Sequence, residues 1–382
     1  MHYAIVTETY PPEVNGVALT VHALAGGLQA RGHAVSIVRP IQSGTSDVRT
    51  DETLVPGFSL PGYAGLRAGF PCTRKLVRMW RDRRPDAVYI ATEGPLGWSA
   101  LRAARRLGVP AATGFHTRFD EYMRDYGLPW LKPVAMHWMR RFHSGAQATL
   151  VPTRELGGFL AGNGFRQVRL LERGVDTILF DPSRRDPGLR ASWRAGDHAP
   201  VVIHVGRIAA EKNLDLAIRA FRELQRHCPG ARYIWVGDGP LRESIQAANP
   251  DFLFMGVQRG EALAKSFASA DLFVFPSKTE TFGNVTLEAM ASGVPTVAFD
   301  YAAAREHLRD GEHGAAITLG DDTRFIESVV RIGSNPATRN AMGREARKGV
   351  ERLSPGRVAA DFDALLAGLA GKDTRHARLA TA

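Results

Sequence analysis

The sequence predicts an α/β protein of two doubly wound domains, each a parallel sheet wrapped by helices. Three observations lead there. Short apolar runs alternate with helix-period segments along the chain, as parallel α/β layers require. The runs fall into two similar sets, one in each half. Between the sets lies a polar stretch rich in Pro and Gly, Phe180-Asp181-Pro182-Ser183-Arg184-Arg185-Asp186-Pro187-Gly188, which has the composition of a linker.

Taken in order, the runs at residues 3–7, 34–38, 87–90, 111–114 and 148–152 read as strands of the first domain. Those at 201–205, 232–236, 252–255, 272–275 and 296–298 read as strands of the second. Ser354-Pro355 then restarts a helix through Ala359, Phe362, Leu365 and Leu366. The expected layout is therefore a first domain over 1–180, a linker over 181–198 and a second domain over 199–353. A C-terminal helix over 354–370 is expected to pack back on the first domain, and 371–382 form a polar tail.

A chain of 382 residues with 44% hydrophobic content is long enough to bury two cores. No apolar run approaches membrane-spanning length. The start, Met1-His2-Tyr3-Ala4-Ile5-Val6, enters a strand directly, without the basic and apolar stretches of a secretory signal. Only Cys72 and Cys228 are present, far apart, so no disulfide framework is implied and a reducing cytoplasm is expected. The net charge of +10 is uneven: residues 1–190 hold 25 Lys and Arg against 16 Asp and Glu, the rest 24 against 23. Its densest part, Arg67, Arg74, Lys75, Arg78, Arg81, Arg83 and Arg84, is interleaved with Tyr63, Leu66, Phe70, Leu76, Val77, Met79 and Trp80. Such a surface fits an anionic membrane leaflet, a nucleic acid, or an ordinary solvated helix face.

The most informative segment is Pro276-Ser277-Lys278-Thr279-Glu280-Thr281-Phe282-Gly283-Asn284-Val285-Thr286-Leu287-Glu288-Ala289-Met290. It follows a buried strand, so Glu280 lies in a loop at the strand's carboxyl end. From Asn284 onward a helix is predicted, stopped by Gly293-Val294-Pro295. A helix start attracts phosphate through its unpaired N–H groups and positive dipole end. Glu280 and Glu288 can each accept hydrogen bonds from a pair of hydroxyls, which sugars and riboses present. Upstream, Gly206-Arg207-Ile208-Ala209-Ala210-Glu211-Lys212-Asn213 joins a strand to a helix. Its two cations match two phosphoryl groups, Arg207 with a planar fork and Lys212 with a compact charge. Neither half carries Gly-x-Gly-x-x-Gly after its first strand, which weighs against a dinucleotide dehydrogenase. No repeat, zinc-type spacing or Gly-x-Ser-x-Gly elbow is found, and a cleft between the domains is the natural site.

Together, Gly206-Arg207 to Lys212, Val236-Gly237-Asp238-Gly239-Pro240, Phe254-Met255-Gly256-Val257 and the Glu280 to Glu288 segment resemble the retaining family 4 glycosyltransferases of GT-B fold. Thr7-Glu8-Thr9-Tyr10-Pro11-Pro12-Glu13-Val14-Asn15-Gly16-Val17 resembles that family's glycine loop, with Asn-Gly-Val where many relatives carry paired glycines. Phe115-His116-Thr117 resembles its active-site histidine segment. The resemblance runs from the first strand to about residue 310.

It implies a GT-B fold with two Rossmann-like domains facing a cleft, acceptor-binding first and nucleotide-sugar-binding second. Arg207 and Lys212 are then expected to neutralise the departing nucleoside diphosphate, the main electrostatic help such a transfer needs when no metal is present. Glu288 should hold the ribose and Glu280 the donor sugar, with the backbone N–H groups of Phe282, Gly283 and Asn284 near sugar or phosphates. Gly206, Gly237, Asp238, Gly256 and Val257 are expected around the nucleotide. Gly16 allows close backbone approach, and His116 is expected beside the anomeric centre as a polar contact or proton handler. Tyr10, Glu13, Asn15, Arg118 and Tyr122 are acceptor candidates by position. The expected partners are a nucleoside-diphosphate sugar, GDP-mannose slightly preferred over a UDP sugar, and a lipid or glycan hydroxyl. No cofactor and no metal are expected, and the location is cytoplasmic, peripheral on the inner face of the membrane.

The motif flavour is similar to bacterial glycolipid enzymes of the mannosyl- and sulfoquinovosyl-transferase kind. A nucleotide-sugar epimerase of the same architecture is the alternative, although it needs acid/base carboxylates with no obvious place here. A nucleic-acid-binding protein is suggested by the charge alone and leaves Glu280 and Glu288 unexplained, because carboxylates repel phosphate backbones.

Overall fold

In the computed structural model, residues 1–13, 15–42, 50–59, 67–116, 132–196 and 199–371 are described. The chain divides into two compact units, Met1–Arg173 with Pro355–Ala382, and Gly174–Ser354.

The sheet of the first unit is built from β1 (His2–Val6), β2 (Ala34–Pro40), β3 (Glu52–Val55), β6 (Ala87–Ile90), β7 (Ala111–Gly114), β8 (Ala148–Val151) and β9 (Val168–Leu170). Its order is β3-β2-β1-β6-β7-β8-β9, and every pairing is parallel. A short antiparallel hairpin, β4 (Gly57–Ser59) with β5 (Arg67–Gly69), stands apart from it. Helices cover both faces, which is why its strands read as continuous apolar runs. Tyr3 and Ile5 of β1 point into one core with Leu24, Leu28, Tyr89 and Phe362. Ala4 and Val6 point into the other, with Trp80, Ile90, Leu101 and Phe142.

The helix Pro355–Leu369 belongs to this unit. Phe362 and Leu366 are fully buried in its core, and Asp363 accepts hydrogen bonds from the Tyr3 hydroxyl at 2.8 Å and from Arg31 Nε at 3.0 Å. Gly27 has no room for a Cβ against Ala359, so this helix lies close along Gly16–Ala30.

In the second unit β10 (Val201–Val205), β11 (Arg232–Val236), β12 (Leu253–Gly256), β13 (Leu272–Phe275), β14 (Thr296–Phe299) and β15 (Gly314–Ile317) form an all-parallel sheet of order β12-β11-β10-β13-β14-β15. Val201, Ile203 and Val205 enter one core with Phe267, Phe273 and Met290, while Val202 enters the other with Phe221, Tyr233 and Trp235.

Of the segment 181–198, expected as a linker, the described residues 181–196 pack instead as part of this unit. Asp181 and Asp186 cap the short helices Pro182–Arg184 and Pro187–Ser192. Phe180 and Trp193 are buried in the core. Arg190 pairs with Asp271 at 3.0 Å and donates to the Ser269 carbonyl at 2.9 Å. Polar capping residues give the segment its linker-like composition, while a few apolar side chains anchor it.

Both sheets reverse their winding once. The order changes direction between β1 and β6 in the first unit and between β10 and β13 in the second. In open α/β sheets ligands bind outside the carboxyl ends of strands at such switch points.

Candidate functional site

The switch point of the second unit is formed by two strand-to-helix loops. After β10 the chain runs through Gly206 and Arg207 into a single turn, Ala210–Lys212, and Asn213 takes a left-handed conformation with φ 53° to start the helix Leu214–His227. After β13 the loop ends at Gly283, φ 88°, which opens the helix Asn284–Ala291 without a side-chain cap. The first N–H groups of that helix are therefore left to a ligand or water.

Backbone hydrogen bonds tie the neighbouring loops into one floor. Gly206 N–H donates to Val236 O at 3.0 Å, Gly237 N–H to Gly256 O at 2.8 Å, and Ile208 N–H to Asp238 O at 3.0 Å. Gly237 has φ 136°, and a Cβ there would overlap the carbonyl of Gly206, so only glycine allows this approach. Asp238 accepts from the N–H of Gly239 at 2.8 Å and lies 3.5 Å from Arg242. Val257 is exposed.

The two loops meet through an ion pair between Lys212 Nζ and Glu280 Oε1. Lys212 also sits 5.8 Å above the Phe275 ring. The Glu280 loop is braced from behind: the Tyr301 hydroxyl donates to Glu280 O at 2.8 Å and Ala303 N–H to Phe282 O at 2.8 Å. Phe282 itself is a buried wedge, edge-on to His307 with ring centroids 5.8 Å apart. Arg207 is half exposed and 3.5 Å from Glu211. Glu288, one turn into the helix, has no hydrogen-bond or ion-pair partner for its carboxylate among the described residues, and burial pushes its pKa up to about 7. The structure thus brings Lys212 and Glu280 into contact, and Gly206, Gly237 and Gly256 into one hydrogen-bonded chain.

In the first unit several candidates are engaged in holding the fold. Asn15 caps the helix Gly16–Ala30, its Oδ1 accepting from Val17 N–H at 3.1 Å and Ala18 N–H at 2.9 Å, while its Nδ2 donates to Thr9 Oγ1 at 2.7 Å. Thr9 in turn donates to Glu13, whose pKa is raised by burial. Tyr10 is buried, its hydroxyl 3.1 Å from His22 Nδ1. Gly16 is the exposed first residue of its helix. Arg118 and Tyr122, like Thr117 and Val14, lie outside the described residues.

His116 follows β7 and is buried, with Arg173 2.7 Å from Nδ1 and the Tyr89 hydroxyl 2.8 Å from Nε2. A guanidinium only donates, so Nδ1 accepts and the ring proton sits on Nε2, facing the phenol oxygen. Burial, then the Arg173 charge, hold the imidazole well below its usual pKa. In this arrangement neither ring nitrogen is free to carry a proton to or from a substrate. Beside it His143 is buried, with Thr113 Oγ1 2.8 Å from Nδ1 and Glu93 Oε1 3.4 Å from Nε2. Glu8, after β1, is buried at the switch point, accepting from Leu96 N–H at 2.9 Å and from Gly69 N–H. Burial pushes its pKa up to about 7 against the pull of those hydrogen bonds. Sequence reasoning passed over Glu8, Tyr89, Glu93, His143 and Arg173. For Glu8 and Glu93 there was a signal, since Glu8 directly follows the predicted strand 3–7 and Glu93 lies three residues past the predicted strand 87–90, each at a carboxyl end.

Among the described residues no cluster of His, Cys, Asp and Glu is placed to hold a metal ion, and no helix is long and apolar enough to cross a membrane. The helix Thr73–Asp82 buries Leu76 and Trp80 and turns Arg74, Lys75, Arg78 and Arg81 outward. Exposed aromatics lie on the same unit: Phe58 with Phe70, ring centroids 5.3 Å apart, and Trp138 against Trp98 at 4.9 Å.

Residues 14–179 match the family model described as glycosyltransferase family 4, and residues 199–335 that of glycosyl transferases group 1. A GDP-mannose-dependent alpha-mannosyltransferase of Mycobacterium tuberculosis is 35% identical over 339 residues, 86% of this chain and 87% of that protein. This chain belongs to glycosyltransferase family 4. An alpha-monoglucosyldiacylglycerol synthase of Acholeplasma laidlawii is 24% identical over 377 residues, 91% of this chain and 92% of that protein. Among solved structures, Anabaena Alr3699/HepE in complex with UDP superposes with a TM-score of 0.75 at 17% identity, covering 96% of this chain and all of that one. The two Rossmann-like units are those of the GT-B fold, and the glycosyltransferase carries its paired loops at the switch point of the second.

Proposed function

We propose that this glycosyltransferase moves mannose from GDP-mannose to a hydroxyl of a lipid acceptor, with retention of anomeric configuration, at the cytoplasmic face of an anionic membrane. The observation that carries the donor half is the switch point of the second unit. There a cation–carboxylate pair, Lys212 and Glu280, is held by the two strand-to-helix loops, and the helix that follows the second loop carries Glu288, a half-buried carboxylate with no hydrogen-bond or ion-pair partner among the described residues. A carboxylate kept without a partner suits the two hydroxyls of a ribose, each able to donate to one of its oxygens. Arg207 and Lys212 suit the diphosphate, with the uncapped N–H groups at Gly283 and Asn284 beside them. Glu280 suits hydroxyls of the sugar.

In the step so read, the bond from C1 to the diphosphate oxygen breaks as the acceptor oxygen bonds to C1 on the same face. The acceptor's proton passes to a departing phosphate oxygen. The two cations carry the charge that develops on the leaving group, and no divalent ion is needed. This route asks for no proton from His116, whose part is to shape the acceptor side. GDP-mannose is favoured because the relatives at more than 30% identity include enzymes named for that donor. A lipid acceptor is supported by the relative named for monoglucosyldiacylglycerol synthesis and by the basic, aromatic-studded surface of the first unit.

A panel of nucleotide sugars tests the donor: GDP-mannose should raise the melting temperature more than UDP-glucose at equal concentration, and the reverse order refutes the assignment. NMR of the product formed with an added diacylglycerol or glycan acceptor reads the anomeric configuration, and a β-mannoside would exclude retention. Lys212→Met should lower kcat by roughly 100-fold or more with no rescue by Mg²⁺. Turnover unchanged in that variant would remove Lys212 from the leaving-group role. Flotation with vesicles containing phosphatidylglycerol, compared with phosphatidylcholine alone, tests the surface.

A further inference from the structure

The first unit holds a buried cation without a counter-charge among the described residues. Arg173 follows β9 on the carboxyl side of the sheet and is 8% exposed. Among the described residues its side chain makes one hydrogen bond, from a terminal N–H to His116 Nδ1 at 2.7 Å. No carboxylate pairs with it among the described residues. The groups around it are neutral or already engaged. The proton on His116 Nε2 faces Tyr89, and Glu93 is engaged with His143, 3.4 Å away, rather than with the guanidinium.

A guanidinium does not lose its proton. Buried charges in folded proteins are ordinarily paired, because an unpaired one sacrifices its hydration for nothing in return. An unused planar fork of N–H donors is the shape that binds an oxyanion through two parallel hydrogen bonds. The neutral His116 presents no negative charge to compete for it. We propose that Arg173, with His116 beside it, is an oxyanion site in the first unit that takes a phosphate or carboxylate group carried by the acceptor. The assignment to the acceptor rests on the transferase reading above, whereas the binding of an oxyanion at Arg173 does not.

The His116 ring is a local reporter, because an oxyanion drawing on Arg173 alters the bond to Nδ1. In protein labelled with ¹⁵N-histidine, the His116 ring signals, identified by their loss in His116→Gln, are followed while inorganic phosphate, acetate or glycerol is added without donor. Repeating the titration in a variant that carries both Arg207→Gln and Lys212→Met keeps phosphate binding at those cations out of the reading. Wild type should show a saturable Nδ1 shift with phosphate, a weaker one with acetate and none with glycerol. Arg173→Gln should abolish it, and Arg173→Lys should keep it at several-fold higher phosphate concentration. Circular dichroism and melting of each variant verify that it is folded. No saturable shift in the wild type overturns the proposal, and so does an equal shift in folded Arg173→Gln or in the presence of glycerol.

Discussion

Glu288→Gln should make the free protein more stable and its nucleotide binding weaker, and both effects follow from the missing partner. Burial lifts the Glu288 pKa from an ordinary 4.5 to about 7. The folded state therefore holds this proton over a range where the unfolded state has released it. Stability from this group falls as pH rises from about 4.5 to about 7, and the penalty is complete above that. A shift of this size corresponds to about 3 kcal/mol at most, at 1.36 kcal/mol per pH unit. Gln removes the charge and keeps the shape. At pH 8 the ligand-free variant should gain about 1–3 kcal/mol, roughly 3–10 °C in melting temperature for a unit of this size. Near pH 4.5 the gain should shrink to about 0.4 kcal/mol. Binding moves the other way. Replacing one charge-assisted hydrogen bond to a ribose hydroxyl by a neutral contact should weaken GDP by roughly 10- to 100-fold. Differential scanning fluorimetry at the two pH values, with and without saturating GDP, reads both effects. A variant that is less stable than wild type at pH 8 without ligand, or one that binds GDP equally well, refutes the reasoning.

Glu280→Gln should free Lys212 from its resting partner, so GDP should bind roughly 5-fold tighter while transfer from GDP-mannose slows; calorimetry and initial rates separate the two, and weaker GDP binding would contradict the pairing. Gly237→Ala places a Cβ against the Gly206 carbonyl at φ 136° and should cost about 1–3 kcal/mol of stability in urea unfolding; an unchanged midpoint would mean the floor of the site can yield. Asn15→Ala removes both acceptor contacts at the start of Gly16–Ala30 and should cost about 1 kcal/mol. With the assay temperature lowered to keep it folded, its acceptor KM should stay within 2-fold or so, and a large KM rise would return Asn15 to the acceptor.

The central strands were legible because burial on both faces leaves runs such as Val201 to Val205 and Leu272 to Phe275 with almost no polar interruption. The edges were not. β9 is three residues containing Arg169, β3 puts polar Glu52 and Thr53 ahead of Leu54 and Val55, and β15 is Gly314-Ala315-Ala316-Ile317. Such strands take their identity from a neighbour's hydrogen bonds more than from their own side chains. The site shows the same division. Lys212 and Glu280 could each be picked from a strand-to-helix loop, but their contact is created by β10 lying next to β13. Tyr89, His116 and Arg173 come from three loops or strands with no shared motif, and only the order β6-β7-β8-β9 gathers them. The linker reading failed over 181–196 because composition counts Asp181 and Asp186 as polar without knowing that they cap short helices beside the buried Phe180 and Trp193.

Among the described residues each unit has, besides Glu8 with its backbone N–H donors, a charged side chain without an opposite charge on the carboxyl side of its sheet, and the two signs differ. In the second it is the carboxylate of Glu288; in the first it is the guanidinium of Arg173. Neither charge is answered by an opposite one, and a charge withdrawn from water without a counter-charge costs stability rather than adding to it. Arg39 and Glu52, their side chains both buried in the first unit, neutralise one another at 2.7 Å, which shows that this fold can place counter-charges where stability alone is at stake. An unpaired anion selects hydroxyl donors and rejects phosphate; an unpaired cation does the reverse. The hydroxyl-bearing end of a nucleotide therefore belongs at Glu288 and an acidic group at Arg173. If the Gln variants at both positions stabilised the free protein and each lost only its own ligand class, stability and recognition would be in opposition at two independent sites. If either variant destabilised the folded state at neutral pH, that charge would have a structural partner, and its place in recognition would fall.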